Sequence, residues 1–114
     1  MANTIQEKSF RFAVRIVNLC RYIQNEHNEF ILTKQLLKSG TSIGANVSEF
    51  QQAQSRSDFI SKLNISLKEA YETNYWLRLL HETNFLTSEE FQSIIADCNE
   101  LERLLISIVK TTKK

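Results

Sequence analysis

Residues 87–109 read TSEEFQSIIADCNELERLLISIV. Phe91, Ile94, Ile95, Cys98, Leu101, Leu104, Leu105, Ile108 and Val109 recur at three- and four-residue intervals, which keeps one side of an α-helix apolar in a near-heptad stripe. The start is equally marked. Thr87 with Glu90 forms a capping box, in which each side chain satisfies a backbone N–H at the exposed helix end, and Leu86 can staple to Phe91 across it. A helix with one apolar stripe needs partners to bury it, and the rest of the chain is built to supply them.

Working outward, three further segments carry helical periodicity. Upstream, a helix is expected over 55–82, opening at Ser55 with Asp58 three residues on. Phe59, Leu63, Leu67, Ala70, Asn74 and Leu77 form one face, and Ile65, Glu69, Glu72, Trp76, Leu79 and Leu80 a second. Before it lies a helix over 30–53, with Leu32, Leu36, Ile43, Val47 and Phe50 on one side. Gly40 and Gly44, one turn apart, imply close approach of a neighbouring helix backbone; a break at Ser39-Gly40-Thr41 is the alternative. The first helix, over 4–27, opens with the capping pair Thr4 and Glu7. Phe12, Ala13, Ile16, Val17, Leu19, Cys20 and Ile23, widened by Phe10 and Val14, cover more of its circumference than two bundle neighbours can bury. That excess is the first sign of self-association. Residues 87–111 complete the set.

Four long helices with short links predict an all-α protein, an antiparallel up-down-up-down four-helix bundle formed by a single domain over 1–114. The 114 residues include no Pro and only two Gly, too little turn punctuation for a β-rich fold. Fourteen Lys and Arg against thirteen Asp and Glu give a net charge of +1, so no global field draws the chain to nucleic acid or anionic membranes. No apolar run is long enough to span a bilayer and no secretory leader is apparent, so a cytoplasmic location is expected.

The chemistry-bearing residues are few. His27 and His81 are preceded at the third position by Gln24 and Arg78, not by the Glu of a di-metal carboxylate bundle. Cys20 and Cys98 fall at apolar helical positions and read as buried free thiols. No cofactor, metal or catalytic residue is expected, and the protein is read as not an enzyme. Glu69 and Glu72 share a face with Ile65 and Trp76. They fit a solvated face, an acid/base pair, or, as favoured here, a polar strip in a helix–helix or protomer interface, with Glu49 joining and Arg78, Lys38 or Arg21 as cationic partners. Lys8, Arg11, Arg15, Asn18 and Tyr22 form a basic stripe with an aromatic on the first helix. It is either plain surface or, in several copies, a track for a nucleic-acid backbone contacted by Lys8, Arg11, Arg15 and Tyr22.

Two stretches resemble the signature of the 23S rRNA intervening-sequence proteins, also called the four-helix bundle family. One is Ser39-Gly-Thr-Ser-Ile-Gly-Ala-Asn46-Val-Ser-Glu49. The other is Asp58-Phe-Ile60 followed by Leu67-Lys-Glu69-Ala-Tyr-Glu72-Thr-Asn-Tyr-Trp76-Leu77. The resemblance covers essentially the whole chain. It implies an up-down bundle assembled into a ring-shaped homopentamer, with Asn46, Glu49, Glu69, Glu72 and Trp76 as motif positions for packing and assembly. Some relatives are encoded within inserts in 23S rRNA genes. A strongly basic relative, the accessory protein of diversity-generating retroelements, works with a reverse transcriptase and binds nucleic acid. The partners implied are therefore further copies of the chain and RNA or a nucleic-acid-processing protein. The family supplies no catalytic residues.

Overall fold

A computed structural model describes residues 4–112. Four helices follow one another: α1 (Ile5–His27), α2 (Ile31–Phe50), α3 (Arg56–Glu82) and α4 (Ser88–Thr112). They alternate in direction, α4 returns to pack on α1, and the bundle measures 45 × 23 × 21 Å.

The helix ends follow local chemistry. Thr4 accepts a hydrogen bond from the Glu7 N–H, and Ser55 accepts one from Asp58 with its own backbone extended. At α4 the capping box is reciprocal: Thr87 N–H donates to Glu90 Oε1 at 2.9 Å and Glu90 N–H to Thr87 Oγ1 at 3.1 Å. Asn28 and Asn84 adopt positive φ after α1 and α3. Asn tolerates this left-handed conformation better than most residues, which suits it to end a helix. After α3 the bonds from Phe85 N–H to Leu80 O and from Asn84 N–H to His81 O complete a Schellman motif.

The start of α2 has a cap the sequence did not advertise. Phe30 occupies the capping position without a side-chain bond, and the preceding Glu29 does the work instead. Its carboxylate accepts from the N–H groups of Ile31, Leu32 and Thr33 at 2.8–3.0 Å. Partial burial opposes its ionisation, but these bonds outweigh that and hold its pKa below the ordinary carboxylate value. α2 ends at Phe50, short of the expected Ala53. The bonds Gln52 N–H to Glu49 O and Ala53 N–H to Phe50 O tighten its end into a turn, which frees Ser55 to extend and cap α3.

The core is laid down in heptads. Buried positions are 33, 36, 40, 43, 47 and 50 in α2, with Ser39 beside Gly40; 63, 66, 70, 73, 77 and 80 in α3; and 94, 98, 101 and 105 in α4. Phe12, Ile16, Cys20 and Ile23 face them from α1. Alternating steps of three and four give the shallow left-handed crossing of coiled-coil-like packing. The buried face of α3 differs from the expected one. Leu67 and Asn74 are half-buried at the edge, while Ser66, Thr73 and Leu80 lie inside. Both hydroxyls earn their place through α2: Ser66 Oγ donates to Ile43 O at 2.9 Å, and Thr73 Oγ1 lies 3.0 Å from Ser39 Oγ while donating to Glu69 O.

Gly40 lies inside an unbroken helix. A Cβ there would sit 2.8 Å from Ile16 Cγ2, and one at Gly44 would sit 3.2 Å from the carbonyl oxygen of Ser9. The glycine pair therefore lets α1 lie directly on α2, as the spacing implies.

Candidate assembly and nucleic-acid surfaces

Three surface strips hold the residues of interest, and each follows from helical geometry. The first runs along the α2–α3 edge. Trp76 donates its indole N–H to Glu72 Oε2 at 3.1 Å, one turn away on the same helix. Glu69 lies a turn below. Burial is the main force raising its pKa, the Glu72 charge adds to it, and Lys38 and Lys68 oppose it. Among the described residues neither Glu69 nor Glu72 forms an ion pair. Glu49 does not join them, because Lys62 holds it at 2.7 Å. Asn46 turns back on its own helix and donates to Ser42 O at 2.8 Å. Of the five motif residues the fold thus groups Glu69, Glu72 and Trp76, and places Asn46 and Glu49 farther along the same edge.

The second strip is the basic stripe of α1. Lys8 reaches Glu100 at 2.5 Å, Arg11 reaches Glu7 at 3.0 Å, and Arg15 reaches Asp97 at 2.7 Å. Arg15 also bonds the Ser93 hydroxyl and carbonyl. All three cations are matched by carboxylates, two of them on α4, so the stripe fastens α1 to α4. Tyr22 is about half exposed at the far end of that seam.

Sequence reasoning missed the third strip. On the outer side of α3, Lys68, Tyr71, Tyr75 and Arg78 follow at intervals of three and four. Both tyrosines are 50% exposed. The Arg78 guanidinium stands 6.0 Å from the Tyr75 ring centroid and donates to Asn74 Oδ1 at 2.9 Å; Asn74 in turn donates to Asn99 on α4 at 3.0 Å. Arg78, expected as a cationic partner of Glu69 and Glu72, forms no ion pair among the described residues. Its place on the opposite edge of α3 follows from its offset on the helix, which was available in the sequence.

Of the remaining reactive groups, the two thiols face inward. Cys20 donates to Thr33 O and Cys98 to Ala70 O, each at 3.5 Å. Burial, with a lesser push from Glu29, raises the Cys20 thiol to about 12, and burial followed by Glu102 raises Cys98 further, so neither is a thiolate nucleophile at neutral pH. His27 sits edge-on to Phe85, and His81 stacks on Phe91 at 4.3 Å. Among the described residues no three His, Cys, Asp or Glu side chains cluster as metal ligands, and no helix is long and apolar enough to cross a membrane.

The family model for the 23S rRNA-intervening sequence protein matches residues 1–107. The chain belongs to this family. A crystal structure at 1.70 Å of a member of the S23 ribosomal protein family from Bacteroides thetaiotaomicron VPI-5482, described as a protein of unknown function, superposes with a TM-score of 0.92. It is 58% identical to this chain, and the match covers 94% of this chain and 99% of that one. Among curated proteins nothing matches. The family match agrees with the resemblance carried by the two signature stretches, the first of which lies on α2 and the second on α3.

Proposed function

We propose that this member of the 23S rRNA-intervening sequence family is a non-enzymatic, homo-oligomeric, cytoplasmic bundle that serves as a scaffold or adaptor for RNA or a ribonucleoprotein. The family resemblance implies five copies. One observation carries the assembly: two unpartnered stripes of matching character on different helices. On α1, Phe10 and Val14 are 69% and 46% exposed, and Arg21, on the same side, has no ion pair among the described residues. On α3, Ile65 is exposed beside the unpaired Glu69 and Glu72.

The two helices run in the same direction. Val14 lies as many residues into α1 as Ile65 does into α3, and Arg21 as many as Glu72. Copies side by side with parallel axes would therefore set apolar against apolar and cation against carboxylate. Because the stripes are different surfaces, the contact is head-to-tail, which gives a ring where its rotation closes and a filament where it does not. An arginine from the neighbour would also give two half-buried carboxylates the partner they lack. Assignment of nucleic-acid contact to Lys8, Arg11 and Arg15 receives less support, since each is matched within its own chain.

Light scattering on nuclease-treated protein tests the assembly. A closed oligomer is expected, and Arg21→Glu should shift it toward monomer. Adding Glu72→Arg to that variant should restore it. A wild-type monomer at micromolar concentration would refute the reading.

A further inference from the structure

We infer that the outer side of α3 binds single-stranded nucleic acid, with Tyr71 and Tyr75 stacking on bases and Lys68 and Arg78 holding the backbone. This rests on the reading of the protein as an RNA-associated scaffold and assigns that role to a surface. Proteins that hold single strands without reading sequence combine exposed aromatic rings with flanking cations along one track. The α1 stripe lacks free cations, whereas the α3 strip has both parts.

The tyrosines are one helical turn apart on one side, about 6 Å along the axis. That is close to two base steps of about 3.4 Å, so a strand laid along α3 can offer a base to each ring. Neither ring is needed to fill the core, which is built from Leu63, Ala70, Leu77 and Leu80 on the opposite side. Tyr75 is braced edge-on by Trp76, with ring centroids 5.0 Å apart, so it stands out from the helix on a fixed support.

The cations differ in kind from those of α1. Lys68 and Arg78 flank the tyrosines and form no ion pair among the described residues. Arg78 is oriented by the neutral amide of Asn74, which fixes its direction and leaves its charge available. Glu69 and Glu102, on which Lys68 and Arg78 act electrostatically without pairing, are half-buried to either side. Arg103, which with Arg78 acts on Glu102, continues the basic edge onto α4. Guanidinium and ring together form the surface on which a base and its phosphate are both satisfied.

Fluorescence polarisation of nuclease-treated protein with labelled oligo(U), oligo(dT) of equal length and an RNA duplex tests the assignment. Single strands should bind best, with affinity falling as salt rises. A preference for oligo(U) would identify the ligand as RNA, and equal affinity a strand of either sugar. Tyr71→Ala and Tyr75→Ala should each weaken binding about five- to a hundredfold. Tyr75→Phe, which keeps the ring, should retain it. Arg78→Gln should weaken binding and flatten its salt dependence by about one charge. These side chains are exposed, so circular dichroism should show every variant folded. Binding that survives loss of both tyrosines but falls in Arg11→Gln/Arg15→Gln would overturn the site and leave the RNA reading standing. Equal affinity for the duplex would overturn stacking. No binding by the wild type would overturn both.

Discussion

The seams on the two sides of α1 are built on opposite principles. Against α2, α1 packs through small groups: Gly40 receives Ile16, and Gly44 lies on the Ser9 carbonyl. Against α4 it is held by long charged side chains, Lys8 to Glu100 and Arg15 to Asp97, which span open grooves lined by Arg15, Leu19, Tyr22 and Ile94 and by Lys8, Phe12, Glu100 and Leu101. The first seam leaves no room for an added carbon at Gly40 and opens only at its end beside Gly44, where Gln6, Phe10, Val47 and Ser48 line a groove. The ion pairs of the second are part-exposed, so solvent screens them. Stability should therefore be concentrated around α2, and the closing contact between the first and last helices should carry little of it.

That contrast can be broken most severely at Ile16. It is fully buried, so Ile16→Ala should lower the unfolding free energy by about 2–5 kcal/mol in urea titrations. Gly40→Ala sharpens the point. Its methyl group has no room beside Ile16, and overpacking of this sort costs about 1–3 kcal/mol, less up to about 1 kcal/mol of gained helix propensity. In the Ile16→Ala background the two closest contacts are gone and only the Cβ at 3.3 Å remains, so the same substitution should be near neutral or stabilising. A double-mutant cycle without coupling would show that the seam is looser than described.

A smaller effect is expected at the cap of α2. Glu29→Gln should cost about 1 kcal/mol at pH 7, the usual size of a lost cap. The pKa of Glu29 is lower in the folded chain than in the unfolded one. Its contribution is therefore present above the ordinary value of 4.5 and lost as pH falls through the folded value. The variant should accordingly lose less stability than the wild type on acidification below about pH 4.5. Smallest of all, Lys8→Ala or Arg15→Ala should each cost about 1 kcal/mol or less, with the cost shrinking as salt is added. A loss of the size seen at Ile16 would overturn the comparison.

The same contrast explains what the sequence disclosed. Caps and apolar spacing are local, so Thr4, Ser55 and the Thr87–Glu90 box marked three helix starts, and the heptads of α2 and α4 were legible. Glu29 was not, because a carboxylate before a helix looks like any polar link residue until its backbone bonds are seen. Ser66 and Thr73 escaped for a related reason. Their burial depends on acceptors in α2 and not on their own polarity. The pairing of Lys8 and Arg15 joins residues from opposite ends of the chain, so periodicity on α1 could present them only as free charge. In the candidate site, the grouping of Glu69, Glu72 and Trp76 was readable from their offsets. That neither glutamate forms an ion pair among the described residues, and that Glu49 is tied to Lys62, required the tertiary fold.

The two thiols give the molecule a built-in clock. Cys20 bonds across the α1–α2 seam and Cys98 across the α3–α4 seam, and the chain has no other cysteine. An aqueous thiol reagent can reach either sulfur only when that seam opens. The rate at which each is modified under native conditions is therefore a readout of how often one pair of helices parts. Slower modification of Cys20 than of Cys98 would mean that the glycine-lined seam is the last to open.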